Sequence, residues 1–120
     1  MRVLITGAAG FIGSALALRL LDRGDEVHGI DNLNDYYDVS LKQARLRRCQ
    51  SLPRFGFTKL DITDRAGMAG FFSEQRFDAV MHLAAQAGVL YSIEDPYAYV
   101  DANLTGFAHV LEGCRRNQVG

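Results

Sequence analysis

The sequence predicts an α/β fold in which helices cover both faces of a parallel sheet. Short apolar runs alternate with segments whose apolar residues recur at helical spacing, in the order β-α-β-α-β-α-β-α. This alternation implies right-handed crossovers between parallel strands. The strand order expected for such a doubly wound sheet is 3-2-1-4. The 120 residues, of which 48% are hydrophobic and 22% charged, suit one globular domain.

The boundaries of the elements follow from the apolar pattern and from glycine and proline positions. The sequence predicts, in chain order, strand 2–6, a helix from 12 that stops at Gly24, strand 26–30 ending at Asp31, loop 32–38, helix 40–49, strand 55–60 ending at Asp61, a helix to about 75, strand 77–83, loop 86–94 and a long helix from Pro96 to about Arg116.

Polar residues indicate where three of the helices begin. Ser40 with Gln43 forms a capping box for the second helix. Either Thr63 or Asp64 caps the third helix. Asp95-Pro96 is typical of a helix start, because an N-cap residue is followed by proline at the first helical position.

Composition excludes several classes of partner. The formal net charge is −1 and there is no basic stripe, so the sequence gives no support for nucleic acid as the main partner. We interpret Arg45, Arg47 and Arg48 as a solvated helix face rather than a binding patch. Neither Cys49 nor Cys114 belongs to a C-x-x-C pair, so neither a zinc site nor a disulfide framework is indicated.

The sequence also predicts neither a membrane span nor a metal site. No apolar run approaches the roughly 20 residues that cross a bilayer. The chain starts directly with a strand rather than with the charged and apolar regions of a signal peptide. With reduced cysteines, we therefore expect a cytoplasmic protein. His28, His82 and His109 share no metal-ligand spacing.

A glycine-rich loop between the first strand and the first helix predicts a phosphate-binding site. Gly7 allows the sharp turn out of the strand, and Gly10 allows the backbone to approach a pyrophosphate. Gly13 lets the helix pack closely against the strand. The free N–H groups and the positive dipole end of the helix then face the phosphates. The alternative, a βα turn with chance glycines, is disfavoured by the strand before the loop and the helix after it.

An acidic residue ends the second strand and predicts which dinucleotide binds. Asp31 follows Gly13 at close to the spacing of about 20 residues expected for a ribose-binding acid. A carboxylate there accepts hydrogen bonds from both ribose hydroxyls and repels a 2′-phosphate. No arginine directly follows Asp31. The sequence therefore predicts NAD rather than NADP as the cofactor.

Several motifs resemble those of extended short-chain dehydrogenase/reductases. The loop reads G-A-A-G-F-I-G, which follows their G-x-x-G-x-x-G pattern, and the resemblance continues through D-N-L-N from Asp31, L-D-I-T from Leu60, H-L-A-A-Q-A-G-V from His82, Y-S-I-E-D-P from Tyr91 and D-A-N-L-T-G from Asp101. Within that family, the chain is most similar to NAD-dependent nucleotide-sugar epimerases of the UDP-glucuronate 4-epimerase type. The resemblance implies a Rossmann-type domain and covers essentially all of the chain.

The resemblance implies roles for residues that follow the carboxyl ends of the strands, where ligands bind in open parallel sheets. It implies pyrophosphate contacts from Phe11 and Ile12, adenosine-ribose contacts from Asp31, Asn32 and Asn34, adenine contacts from Asp61 and Ile62, nicotinamide-ribose contacts from Leu83, Ala84, Ala85 and Gln86, and a family asparagine at Asn103. Asp61 is otherwise a turn residue or helix cap, and Asn103 a polar helix residue.

The loop after the fourth strand resembles a sugar-nucleotide contact region. Ala87, Gly88 and Ser92 are the implied substrate contacts, although a plain surface loop explains them nearly as well. One departure concerns Leu90, where relatives of this type usually carry arginine. If that arginine contacts an anionic group, Leu90 weakens the binding of the substrate.

The chemistry implied by the resemblance needs residues that this chain lacks. Such epimerases pass a hydride from the sugar C4 to NAD, with a tyrosine base and a lysine four residues later. The residues four positions after the five tyrosines are Ser40, Leu41, Asp95, Asp101 and Asn103. We therefore expect no catalytic residue here and no turnover by this chain. We interpret residues 1–120 as the N-terminal part of an NAD-binding domain, without the fifth strand and the sugar-binding domain.

Other functions and partners stay open from the sequence. The chain could be the front half of a related dehydratase or reductase, or a non-catalytic NAD-binding module. NAD is the expected partner, with a UDP-sugar in the full-length parent. The fourth strand, around residues 79–81, would present an apolar edge. We expect association between copies through this edge or through the last helix.

Overall fold

The computed structural model describes residues 1–35 and 38–119 and contains a four-stranded parallel sheet. Its order is β3-β2-β1-β4, which confirms the predicted order. Val3 pairs with Val27 on one side and with Ala79 on the other. The strands are β1 (Arg2–Thr6), β2 (Glu26–Asp31), β3 (Phe55–Lys59) and β4 (Ala79–His82).

The helices follow the strands as predicted, with one addition and one interruption. They are α1 (Phe11–Arg23), α2 (Val39–Gln50), α3 (Arg65–Glu74), α4 (Val89–Glu94), α5 (Pro96–Tyr99), a π-helical segment (Val100–Thr105) and α6 (Gly106–Arg116). Gly24 ends α1 in the left-handed conformation, with φ of 99°, as the sequence predicts. Predicted loop residues Tyr36 and Tyr37 lie outside the described residues.

Two hydrophobic cores lie on opposite faces of the sheet. Successive residues of a strand point to opposite faces, so Leu4 belongs to one core while Val3 and Ile5 belong to the other. The Leu4 core packs against α3 and α6 through Phe72 and Val110. The other core packs against α1 and α2 and is composed of Val3, Ile5, Ala8, Ala17, Leu21, Val27 and Cys49. Helices therefore cover both faces.

Of the two predicted helix caps, that of α2 is wrong and that of α3 is confirmed. The predicted capping box of Ser40 and Gln43 is wrong, since Asp38 caps α2 by accepting from the Ser40 N–H at 2.9 Å. Ser40 lies inside the first turn of α2 rather than at its N-cap, and its hydroxyl also donates to Asp38. Of the two candidates for α3, the structure selects Asp64, whose carboxylate accepts from the Gly67 N–H at 2.9 Å.

The region after β4 is more helical than predicted. Residues 89–94 form α4 rather than a loop. This helix has only six residues, of which Val89, Leu90 and Ile93 are exposed, so it carries no amphipathic signal. Asp95 and Pro96 start the following helix as predicted. The predicted continuous helix is interrupted by the π-helical segment, in which the backbone bonds close wider turns.

Two surface features of the described residues bear on the predicted partners. None of their helices combines the length and the apolar character needed to cross a bilayer. Among them, β4 pairs only with β1 and forms an edge of the sheet, with Met81 42% exposed. The structure contains one chain, so association between copies stays a prediction.

Candidate functional site

A cavity of about 530 Å³ lies where loops from the carboxyl ends of the strands meet. Its lining includes every predicted cofactor residue except Asn103, namely Gly7, Gly10, Phe11, Ile12, Gly13, Asp31, Asn32, Asn34, Asp61, Ile62, Leu83, Ala84, Ala85 and Gln86. Segments far apart in the chain thus meet around one cavity of a size typical for small-molecule sites.

The loop between β1 and α1 excludes side chains at its glycines. Gly7 has φ of 73°, and a Cβ there would lie 2.8 Å from the backbone of Leu83 and Ala84. A Cβ at Gly10 would lie 3.1 Å from the Gly7 carbonyl oxygen. At Gly13 it would collide with that same oxygen, so Gly13 lets α1 pack closely against the chain where it leaves β1. The three glycines therefore keep the loop compact at the cavity wall.

The N-terminus of α1 is the one part of this loop suited to an anion. The first N–H groups of any helix have no partner within the helix. Aspartate caps α2 and α3, whereas the N-cap residue of α1 is Gly10, and α1 has no side-chain cap and no acidic residue in its first turn. Its positive dipole end therefore borders the cavity without a side-chain cap, and the nearest carboxylate contact is that of Asp31 with the Ala9 N–H, one residue before the cap.

Asp31 connects the phosphate loop to the loop after β2. Its Oδ2 accepts from the Ala9 N–H at 3.0 Å, and its Oδ1 accepts from the Leu33 N–H at 2.8 Å. Each carboxylate oxygen has more than one lone pair, so acceptor capacity is left for a ligand. The carboxylate thus shapes the cavity and adds negative charge to its wall.

Asp61 and Asn32 join the loops after β2 and β3. Asp61 Oδ1 accepts from the N–H and the hydroxyl of Thr63, at 2.9 and 2.7 Å, and Oδ2 accepts from Asn32 Nδ2 at 3.2 Å. Burial opposes ionisation, but these hydrogen bonds outweigh it and lower the pKa of Asp61. Asp61 is therefore both a turn residue and an ionised group on the cavity wall.

Lys42 on α2 is a cavity residue that sequence reasoning missed. It is buried, and its Nζ donates to the backbone oxygen and to Oδ1 of Asn34, at 3.0 and 2.7 Å. Lys42 therefore fixes the loop that carries Asn32 and Asn34. The sequence contained no signal for this contact, because the position of α2 relative to that loop depends on tertiary packing.

Arg45, also on α2, differs from the predicted solvated face. Its guanidinium lies 5.7 Å from the ring centre of Phe11, the first residue of α1, which is a cation–π contact. Arg47 and Arg48 are exposed, as predicted.

Asn103 acts on the cavity through the backbone of Gln86. Its Oδ1 accepts from the Gln86 N–H at 2.8 Å, and its Nδ2 donates to the Gln86 carbonyl at 3.2 Å. Asn103 belongs to the π-helical segment and does not line the cavity. The structure thus places this residue behind the predicted nicotinamide wall.

Only one of the three predicted substrate residues lines the cavity. Ala87 lines the cavity, whereas Gly88 and Ser92 do not. The Gly88 carbonyl accepts from the Tyr99 hydroxyl, and the Ser92 hydroxyl donates to a carbonyl within α4. Leu90 is 78% exposed and lies outside the cavity lining.

A second cavity, of about 580 Å³, lies between α3 and α6, away from the strand ends. Its one carboxylate, Glu112, is paired with Arg115 and Arg116 at 2.8 and 3.1 Å. The other polar residues of its lining are Arg65, Ser73, His109 and Asn117, and none of them is a predicted site residue.

The chain is similar to known proteins over nearly its full length. It matches the family described as GDP-mannose 4,6 dehydratase over residues 4–120. It is 54% identical over 119 residues to an uncharacterised 37.6 kDa protein of Escherichia coli O111:H-, covering 99% of this chain and 35% of that protein. It is 49% identical over 113 residues to UDP-glucuronate 4-epimerase 3 of Arabidopsis thaliana, covering 94% of this chain and 26% of the relative.

A solved structure gives the same result for the fold. A variant of UDP-glucuronic acid 4-epimerase from Bacillus cereus, in complex with NAD and UDP-4-deoxy-4-fluoroglucuronic acid, superposes with a TM-score of 0.89 at 35% identity. The match covers 99% of this chain and 38% of that one. The chain thus spans about a third of the length of these relatives. Fold, motifs and matches agree, and the chain belongs to the GDP-mannose 4,6 dehydratase family of extended short-chain dehydrogenase/reductases.

Proposed function

We propose that this chain binds NAD in the cavity at the strand ends. The observation that carries the proposal is the N-terminus of α1, which has no side-chain cap and lies beside Gly7 and Gly13, where no Cβ fits, and Gly10, where a Cβ would be crowded. Backbone N–H groups and a helix dipole at such a loop suit a pyrophosphate. The relative from B. cereus was solved with NAD, which supports the same cofactor.

The other cavity residues fit the remaining parts of a dinucleotide. Asp31 would accept from the adenosine ribose hydroxyls, with Asn32 and Asn34 beside it, and Asp61 with Ile62 would border the adenine. The nicotinamide ribose would lie along residues 83–86, a wall that Asn103 supports through Gln86. Because Asp31 is an anion on the wall, it disfavours a cofactor that carries a 2′-phosphate.

We further propose that this domain serves a nucleotide-sugar 4-epimerase that acts on UDP-glucuronate. NAD, when bound, supplies a hydride acceptor for oxidation at the sugar C4. Several relatives that match over more than 90% of this chain are UDP-glucuronate 4-epimerases, which supports this substrate class. A dehydratase of a nucleotide sugar is the second candidate, because the matching family carries that description.

The test compares NAD with NADP by calorimetry on the chain and on Asp31→Asn. The substitution removes the charge but keeps one acceptor oxygen for the Ala9 or Leu33 N–H. We expect the chain to prefer NAD, and we expect Asp31→Asn to reduce that preference about tenfold or more, since charge-assisted hydrogen bonds to the ribose are lost.

Asp35→Asn is the matched control, because it makes the same change of charge at an exposed position of the same loop. It should leave the preference as it is. Thermal unfolding of each variant shows whether it is folded. A folded chain that binds neither dinucleotide, or an NAD/NADP ratio that Asp31→Asn does not change, contradicts the proposal.

A further inference from the structure

A buried hydroxyl connects the first strand to the loop after the fourth. Thr6, at the end of β1, is completely buried. Its Oγ1 accepts from the N–H groups of Leu83 and Ala84, each at 3.0 Å, and lies 2.7 Å from Nδ1 of His82. The Leu83 N–H also approaches the Thr6 carbonyl oxygen at 3.2 Å. We call these five groups, the hydroxyl and carbonyl of Thr6, the N–H groups of Leu83 and Ala84 and Nδ1 of His82, the Thr6 cluster.

Counting hydrogens in the Thr6 cluster determines the tautomer of His82. A hydroxyl oxygen has one proton to donate and two lone pairs to accept with. Both lone pairs are used by Leu83 and Ala84, so the proton is donated to Nδ1 of His82. Nδ1 is then an acceptor, and the ring carries its proton on Nε2.

Any other state of His82 leaves a hydrogen without a partner. If Nδ1 carried a proton, Oγ1 would face three donors, namely that proton and the Leu83 and Ala84 N–H groups, with two lone pairs to accept them. The Thr6 hydroxyl would lose its acceptor, or the Ala84 N–H would lose its only bond in the cluster. An unsatisfied donor at a fully buried site is costly. The neutral Nε2–H tautomer is the one state that satisfies every group.

The groups held by the Thr6 cluster form the wall of the cavity. Leu83 and Ala84 line it, and their backbone lies against Gly7, where a Cβ would be only 2.8 Å away. A shift of this backbone by a few tenths of an ångström would therefore change the distance between the phosphate loop and the opposite wall. The ring of His82 is itself held by stacking on Phe107 of α6, at 5.3 Å and 10°.

We propose that His82 is a positioning residue of the cofactor site. In its neutral Nε2–H form, His82 accepts the hydrogen bond from the Thr6 hydroxyl, so that both Oγ1 lone pairs accept from the Leu83 and Ala84 amides. This inference rests on the proposed binding of NAD. NAD binding should then depend on pH, because protonation of His82 disrupts the Thr6 cluster and displaces the cavity wall against which the cofactor would lie.

A second histidine lies near the cavity, since Nδ1 of His109 is 2.6 Å from the carbonyl oxygen of Ile62, which lines it. The titratable side chains on or beside the strands and helix that flank the ring are Arg2, Asp78, His109, Glu112, Cys114, Arg115 and Arg116. None of them shifts the pKa of His82, which burial alone lowers. Since the folded state disfavours the imidazolium, the contribution of the cluster is complete above about pH 6.5 and declines as the pH falls below it.

The first test needs no cofactor. Long-range ¹H–¹⁵N NMR of the imidazoles, recorded from pH 8 to pH 5, reports which nitrogen of His82 carries the proton. We expect an Nε2–H ring with a bare Nδ1 at pH 8, and loss of hydrogen-exchange protection at the Ala84 amide as His82 titrates. A proton on Nδ1 at pH 8, or an Ala84 amide that does not respond to the titration, overturns the proposal.

The second test uses conservative variants and NAD affinity. His82→Asn places an amide oxygen where Nδ1 of His82 accepts, and this amide does not titrate. The variant should therefore bind NAD nearly as tightly as the wild type at pH 8 and show no loss of affinity down to pH 5.5. His82→Leu has no acceptor and should bind about tenfold more weakly at every pH. Thr6→Ser should retain the cluster, whereas Thr6→Val should behave like His82→Leu.

The control is His28→Gln, which changes a histidine on β2 that contacts Thr58 rather than the cavity. It should keep the wild-type pH profile. Equal affinities for His82→Asn and His82→Leu, both folded by thermal unfolding, contradict the proposal. If no variant and no wild-type chain binds NAD, the proposed function fails, while the NMR experiment still decides the state of His82.

Discussion

Asp31 shows how far a single residue can be predicted from the sequence. Its place at the end of β2, at the expected distance from the glycine loop, is visible in the sequence. Its hydrogen bonds to the Ala9 and Leu33 N–H groups are not, since they depend on how two loops meet in space. The residue therefore has a structural role beside the proposed ribose contact, and a substitution by alanine would mix the two.

Lys42 shows the opposite case, a site residue with no sequence signal. We expect Lys42→Met to lower the free energy of unfolding by about 1–3 kcal/mol, because two oxygens of Asn34 lose a charged donor at a buried position. Urea unfolding measures this change. Lys59→Met, at an exposed position of β3, is the matched control and should be nearly neutral. Equal effects of the two substitutions would show that the Lys42 contacts add no stability.

At the scale of the elements, the sequence predicts what has a strong pattern. The apolar runs of the strands and the amphipathic α1 are predicted close to their observed bounds. α4 is not, because six residues with exposed apolar side chains have no periodicity to detect. The π-helical segment is not predicted either, because the apolar spacing of residues 98–114 suits one continuous α-helix.

The glycines of two helices allow a matched prediction. Gly13→Ala should destabilise the chain by about 1–3 kcal/mol or more, because the new Cβ meets the Gly7 carbonyl oxygen, which belongs to a backbone with little freedom to move. Gly70→Ala, in α3, meets nothing within 4 Å. It should stabilise the chain by about 0.5–1 kcal/mol, since alanine loses less backbone entropy in a helix.

Urea unfolding of both glycine variants, with calorimetry against NAD, measures these effects. We expect Gly13→Ala to lose NAD binding as well as stability, and Gly70→Ala to keep NAD binding unchanged. A stable Gly13→Ala variant would show that the loop around Gly7 can rearrange, and that its compactness is not set by the absence of side chains.

At the scale of the whole molecule, the fold explains why most of the site could be predicted. In a parallel sheet with helices on both faces, every loop at the carboxyl ends of the strands comes to the same edge. Residues such as Asp31, Asp61 and Ala84 can therefore be assigned to one site from strand ends alone. Lys42 and Arg45 escape this rule, because they project from the body of α2 and reach the site through packing of that helix.

The last prediction separates cofactor binding from catalysis. No tyrosine in the 120 residues has a lysine four positions later, so the chain lacks the pair that its resemblance to epimerases implies for catalysis. We expect the purified chain to bind NAD and to leave UDP-glucuronate unconverted, as followed by chromatography of the nucleotide sugars. A full-length relative such as the Arabidopsis epimerase is the positive control. Measurable UDP-galacturonate formation by the chain alone would contradict this expectation, because another residue of this domain would then have to move the proton.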